Sequence, residues 1–221
     1  MRGVTQQRKP HYSVLNSEIF QYLNDNNSGQ LLDLGSGRGE MANLFKNRGF
    51  QVTGIDADAD RIEKSRKLYP EIEFIHFIVD AKLPFEDESF DVVFSRSFFQ
   101  YVDHVAILQE CNRILKKGGK LILLENLKNN PFTRMGRMYL KISGHKYHSY
   151  PWNHFTKSGI LDVQKNYENS SVHFYHLLSP LTYLSRLEKL YPTLHRIDRK
   201  LLKFKPLKRF AWLVLLTGQK K

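Results

Sequence analysis

Within Leu31-Leu-Asp-Leu-Gly-Ser-Gly-Arg-Gly-Glu40, glycines stand at positions 35, 37 and 39, directly behind an apolar run. Glycines at that spacing let a backbone turn closely around a bound group before a helix begins. The segment therefore reads as a strand running into a ligand-holding loop. A nicotinamide-dinucleotide fingerprint needs its third glycine three positions after the second, and that position here is Glu40. Asp33 at the strand end and Glu40 past the loop disfavour a diphosphate and suit a ligand carrying an ammonium group. Gln51-Val-Thr-Gly-Ile-Asp56 reads as a second strand, and Asp56 can accept two ribose hydroxyls. Ile72 to Asp80 reads as a third, with Asp80 placed for an adenine amino group. Taken singly, either aspartate would serve as well as the cap of a following helix.

Four segments carry a resemblance to a known family: LLDLGSGRGE (31–40), VTGIDAD (52–58), VDAKLPFEDESFDVVFSRSFFQYVDH (79–104) and ECNRILKKGGKLILLE (110–125). Together they resemble the class I S-adenosylmethionine-dependent methyltransferases, in the methyltransferase type 11 branch that includes the ubiquinone/menaquinone methylases. The likeness covers roughly residues 28–127, judged by strand and helix order. It implies S-adenosyl-L-methionine as cofactor, with Asp33, Gly35, Ser36 and Gly37 around its methionine part and Asp56, next to Ala57, on the ribose. It further implies Asp80 at the adenine edge, a backbone contact from Ala81, and Ser95 near the sulfonium. Arg38 stands where many relatives carry a small or hydroxyl residue.

Methyl transfer from a sulfonium is an in-line displacement on carbon, so the protein mainly has to align the reactants and keep the pocket dry. Whether it also needs a general base depends on the acceptor. Candidates follow the fourth strand in Arg96-Ser-Phe-Phe-Gln-Tyr-Val-Asp-His104, where Tyr101 and His104 lie within reach of the strand end. His104 is of the type that can act as a base at neutral pH; its plainer role is to cap the next helix. His145, His148 and His154 are further candidates. Three histidines without paired carboxylates or cysteines make a weak metal signal, and no metal is expected. Tyr12, His11 and Arg38 are candidates for the methionine carboxylate, with Tyr12 preferred.

Those residues need a doubly wound, Rossmann-like, mostly parallel seven-stranded sheet whose last strand is antiparallel, with its ligands at the carboxyl ends of the strands. His11–Leu23 carries helical apolar spacing. Glu40–Arg48 and Ala57–Tyr69 read as crossover helices, the second stopped by Pro70. Phe90–Ser95 is the fourth strand, Val102–Leu115 its helix, and Lys117-Gly-Gly119 a turn into a fifth strand over 120–125. The whole chain, 1–221, is expected to form a single domain. Residues 128–160 are read as a substrate-covering insert containing Phe132, Tyr139, Tyr147, Tyr150 and Trp152. Leu161–Tyr167 is expected to be a sixth strand. Ser179–Leu190 is expected to be a helix capped by Ser179 with Leu181, Leu184, Leu187 and Leu190 on one side. A second helix over Thr193–Lys203 carries Leu194, Ile197, Leu201 and Leu202 on one face. These two make 179–205 a basic helical region ahead of a last strand at Phe210–Thr217.

At 221 residues and 41% hydrophobic content the chain can build one substantial core. Its one cysteine, Cys111, falls on an apolar helix face; with neither disulfides nor a secretory apolar segment at the start, the cytoplasm is the expected location. Charge divides the chain sharply. Residues 1–127 hold 16 Lys/Arg against 18 Asp/Glu, while 128–221 hold 18 against 4. The basic part implies something acidic: an anionic or amphiphilic small-molecule acceptor, RNA, or an anionic membrane touched peripherally at its inner face. Methyl transfer to a small molecule or lipid precursor is the leading expectation. A tRNA or rRNA methyltransferase and a non-catalytic cofactor-binding protein are the alternatives. Against RNA, strand four ends in Ser95-Arg-Ser-Phe rather than in the Asn-Pro-Pro-Tyr type of signature.

Overall fold

The computed structural model describes residues 10–23, 28–80, 82–142, 154–183 and 185–221. Ala81, Leu184 and the segment with His145, Tyr147, His148, Tyr150 and Trp152 lie outside them. In chain order the elements are α1 (Pro10–Phe20), β1 (Gln30–Leu34), α2 (Glu40–Lys46), β2 (Gln51–Asp56), α3 (Ala59–Leu68), β3 (Glu73–His76), β4 (Phe90–Arg96) and α4 (His104–Ile114). There follow β5 (Leu115–Asn126), α5 (Pro131–Ile142), α6 (Lys157–Asn166), β6 (Glu168–Tyr175), α7 (Tyr191–Leu201), α8 (Lys205–Lys208) and β7 (Leu213–Gln219).

The seven strands lie in the order β3-β2-β1-β4-β5-β7-β6. The first five pair in parallel, and β7 runs antiparallel to both β5 and β6. Successive side chains on a strand point to opposite faces, and both faces here are apolar. Leu32, Leu34, Val93, Leu121 and Leu123 pack with Ile107, Cys111 and Ile114 of α4 on one side. Leu31, Val92, Phe94, Ile122 and Leu124 pack with Leu15 and Ile19 of α1 and Met41 and Phe45 of α2 on the other. The fully buried Cys111 thiol is pushed up to about 12 by burial, so it stays protonated as part of this packing.

Several expectations are corrected. Leu161–Tyr167 belongs to helix α6 and the connection out of it, and strand β6 begins only at Glu168. Gly159 and Val163 face inward one turn apart, which is a helical repeat. The last strand starts at Leu213, and Lys117-Gly-Gly119 lies inside a continuous β5, where the pairing with β4 shifts register. The third strand stops at His76, four residues before Asp80. Ser179–Leu190 is two 3-10 turns, Ser179–Tyr183 and Ser185–Leu190, in place of one helix. Leu187 and Leu190, three residues apart in the second turn, match three residues per turn. Ser179 does not act as a side-chain cap, because its Oγ bonds His176 Nδ1. In α7 the buried residues are Tyr191 and Asp198, and Ile197 is 38% exposed. The Asp198 carboxyl accepts the backbone N–H of Leu178 (2.7 Å) and of Ser179 (3.0 Å), pinning α7 to the chain leaving β6.

Removing that carboxyl strands two N–H groups. Asp198→Ala should lower unfolding free energy by about 2–4 kcal/mol, and Ile197→Ser by no more than about 0.5 kcal/mol. Urea titrations of both variants check this; a larger loss from Ile197→Ser would reverse the assignment of faces.

Candidate active site

The chain leaves β1 toward β2 on one side, while β4 lies on the other, so a crevice opens at the carboxyl ends of β1, β2 and β4. The glycine loop sits over it and is held by β2. Gly35 and Ser36 N–H both donate to the Ile55 carbonyl at 2.9 Å. Gly37 N–H donates to Asp56 Oδ2 at 2.8 Å, and the other Asp56 oxygen takes the Asp58 N–H at 2.9 Å. Each carboxylate oxygen has more than one acceptor site, so these bonds fix the carboxylate without using up its capacity. Ser65 Oγ donates to the Gly37 carbonyl. Gly37 has φ of +58°, and a Cβ built there would meet nothing within 4 Å, so the backbone presents itself to open space.

Beneath the loop lies Asp33, 2% exposed. Burial raises its carboxyl to about 7, opposed by Arg96 and by the Ala42 N–H and reinforced by Asp56. Its Oδ2 is buried with no hydrogen-bond partner, and so are Ser36 Oγ and Arg96 Nη1. Native proteins leave few such atoms. The Arg96 guanidinium lies 5.4 Å from the centre of the Tyr12 ring. Asn16, one helical turn beyond Tyr12 on α1, also has a buried, unpartnered oxygen. An unpartnered acceptor oxygen and an unpartnered guanidinium nitrogen beside one open loop fit a ligand carrying both an ammonium and a carboxylate.

The next strand pair supplies a second buried carboxyl. β4 and β5 bring Ser95 opposite Leu123, and Glu125 near the end of β5 turns inward, 1% exposed. Glu125 Oε1 accepts Ser95 Oγ (2.8 Å) and Phe98 N–H (3.2 Å), and Oε2 accepts Phe99 N–H (3.3 Å). Burial raises this carboxyl to about 8 despite those donors. The bonds fix the tight exit from β4, where Ser97 has φ of +57° and Phe98 packs within 2.8 Å of where a Gly35 Cβ would be. The exit thereby sets the space above the glycine loop.

The expected site residues are distributed as follows. Asp33, Gly35, Ser36, Gly37 and Asp56 share the crevice, and Tyr12, 4% exposed, packs beside Arg96. Ala57 is exposed, with its carbonyl bonded to His76 Nε2. Asp80 is exposed on the segment after β3. The Ser95 hydroxyl is fully buried and given to Glu125. Tyr101 ends a 3-10 turn, Phe99–Tyr101, at 40% exposure. Asp103 is the cap of α4, accepting Ala106 N–H. His104 is the first residue of that helix; its Nε2 donates to the Phe99 carbonyl and its ring stacks on Phe155 at 4.7 Å. His11 turns away from the crevice, with Nε2 bonded to the Ser179 carbonyl and Thr182 Oγ1. Arg38 is exposed. Sequence reasoning missed Arg96 and Glu125. Both were visible only as polar residues near strand ends, and the β4–β5 register is what turns Glu125 toward Ser95.

Past Phe155, the neighbouring His154 lines a cleft of about 640 Å³ with Lys128, Arg134, Met135, Arg137 and Met138. Among the described residues, no group of His, Cys, Asp and Glu could hold a metal ion.

Comparison with known proteins agrees with this geometry. Residues 32–123 match the family described as a methyltransferase domain, Methyltransf_11. A demethylmenaquinone methyltransferase of Thermotoga maritima is 34% identical over 125 residues, 55% of this chain and 54% of that one. The chain thus spans about half the length of the curated relatives it matches. Among solved structures, geranyl diphosphate C-methyltransferase from Streptomyces coelicolor, in complex with S-adenosyl-L-homocysteine, superposes with a TM-score of 0.68 at 15% identity. That match covers 95% of this chain and 81% of the other. A phosphoethanolamine N-methyltransferase from Haemonchus contortus, in complex with S-adenosyl-L-methionine, gives 0.67 at 18% identity, over 95% of this chain and 53% of that one. These likenesses concern the fold. The matched segment holds the glycine loop, Asp56, Arg96 and the α4 cap, and it is over this segment that the chain is similar to the type 11 methyltransferase domain.

Proposed function

We propose that this protein transfers a methyl group from S-adenosylmethionine to a small-molecule or lipid-precursor acceptor that is anionic or amphiphilic. The observation that carries the acceptor class is the cleft beside His154, in which two methionines and three cations line one space. An apolar tail and an acidic group would both find partners there. The names of the relatives point the same way, since demethylmenaquinone and geranyl diphosphate methyltransferases are among them.

In this reading the cofactor supplies an electrophilic methyl group on a sulfonium. The protein's residues do the positioning. Asp33 Oδ2 takes the ammonium, and Arg96 Nη1 with Tyr12 and Ser36 takes the carboxylate. Gly35 and Gly37 let the loop approach closely. Asp56, with Ala57 beside it, accepts the ribose hydroxyls, and Asp80 and Ala81 meet the adenine. Ser95 acts through Glu125, holding the exit of β4 at the height that lines up the acceptor. Tyr101 and His104 face the acceptor side, with His104 oriented by the Phe99 carbonyl and the Phe155 ring. A dry, aligned site of this kind lowers the barrier chiefly by orientation.

Mass spectrometry of small molecules and of RNA, from cells with and without the gene, tests the acceptor class. A small anionic or amphiphilic compound that is one methyl group lighter in the deleted strain supports the proposal. A missing methyl on tRNA or rRNA would replace it with the RNA reading, and no difference in either pool would favour a non-catalytic role.

Two further outcomes follow from the buried carboxyls. Below about pH 7 Asp33 holds a proton and offers the ammonium a neutral partner; above it the carboxylate is a counter-charge. Affinity for S-adenosylhomocysteine should therefore rise up to about tenfold per pH unit as pH climbs toward 7, with proton release on binding, and Asp33→Asn should flatten that dependence. Calorimetry in buffers of differing ionisation enthalpy reads both; a flat profile for the unmodified protein would contradict the role. Glu125→Ala leaves Ser95 and two N–H groups without their acceptor and should cost about 2–4 kcal/mol of stability while weakening cofactor binding. Urea unfolding and the same titration check it, and a variant as stable as the parent would remove Glu125 from this role.

A further inference from the structure

Helix α5 carries Met135, Met138, Tyr139 and Ile142 at the i, i+3, i+4, i+7 spacing of a single stripe. In a globular protein such a stripe normally faces the core. Here the four residues are 62, 60, 70 and 79% exposed. The helix is firmly rooted at its other end. Asn130 is fully buried, its Oδ1 caps the Thr133 N–H, and its Nδ2 donates to the carbonyls of Leu177 and Phe210. Pro131 occupies the first helical position. A rooted helix with its apolar stripe turned outward is built to meet something.

Charge says what. From Asn126 to Leu161 the sequence has no Asp or Glu and has six Lys/Arg. Arg134 and Arg137 stand on α5 itself, and Lys128 lies just ahead of it, with Arg137 bonded to the Lys128 carbonyl. The stripe is therefore apolar with a wholly cationic border. A second copy of this chain would bring like charges together. RNA phosphates would use the cations and leave the stripe in water. A bilayer with anionic headgroups satisfies both halves at once, because cations meet phosphates while methionine, tyrosine and isoleucine side chains enter the headgroup–acyl boundary.

We propose that α5 docks the protein peripherally on an anionic lipid bilayer through Met135, Met138, Tyr139 and Ile142. Docking goes beyond the acceptor assignment, since it requires neither cofactor nor acceptor. It would also bring the cleft, which shares Met135 and Met138 with the stripe, to the surface where an amphiphilic acceptor partitions.

The test is co-sedimentation of the full chain with vesicles of phosphatidylcholine alone and of phosphatidylcholine mixed with phosphatidylglycerol. The double variant Tyr139→Ser, Ile142→Ser is run in parallel. Both residues are exposed and lie outside the cleft lining, so the variant should keep the parent's unfolding midpoint and S-adenosylhomocysteine affinity. The expected result is binding to the mixed vesicles only, weakened by added salt and reduced about tenfold or more in the double variant. Equal binding to both vesicle types, binding to neither, or a double variant that sediments like the parent overturns the proposal. So does tRNA binding that the same two substitutions weaken. Loss of vesicle binding would overturn docking and leave the acceptor assignment standing.

Discussion

A carboxyl group buried under a glycine loop, with one oxygen left unpartnered, is the constraint on which the site depends. Asp33 costs the fold desolvation free energy that Arg96 and one backbone N–H offset only in part, and its raised pKa records the deficit. In the proposed reading, the ammonium group of a ligand offsets that deficit. Everything near it is arranged to keep the place open. Ile55 and Asp56 hold the loop by its N–H groups, and Gly37 turns no side chain into the space. Glu125, through Phe98 and Phe99, holds the opposite wall.

Strand order explains why these groups meet. Asp33, Asp56 and Arg96 are separated by tens of residues, yet β2-β1-β4 places their strands side by side and ends them on one edge. Insertion of β7 between β5 and β6 then returns the chain's C-terminal part to that edge, where Leu127 N–H donates to the Trp212 carbonyl. The near-neutral part thus supplies the cofactor crevice, and the basic part supplies the cleft and the outward stripe of α5. Among the described residues no helix is long and apolar enough to cross a membrane.

How much of this was legible in the sequence depended on whether local spacing or distant pairing set each feature. The glycine loop and the parallel strands of the first half announce themselves, because tight turns demand glycine and strands covered on both faces are apolar throughout. Boundaries blurred where two periods overlap. Leu181, Leu187 and Leu190 read as part of one helix and lie in 3-10 turns, and Leu161–Tyr167 read as a strand because the true edge strand, β6, opens with polar, partly exposed residues. Ile197 stands on the apolar face of its helix yet is exposed; the adjacent Asp198 is buried because two backbone N–H groups need an acceptor. Glu125 and Arg96 could not have been singled out, since their importance lies in what the β4–β5 and β1–β4 pairings put beside them.

An amino-acid-bearing nucleoside is the ligand proposed for the crevice. Calorimetric titration of the purified chain with S-adenosylhomocysteine, and separately with a nicotinamide dinucleotide, tests it most directly. One saturable site for S-adenosylhomocysteine and no measurable heat from the dinucleotide are expected. Tight binding of the dinucleotide with none of S-adenosylhomocysteine would contradict it.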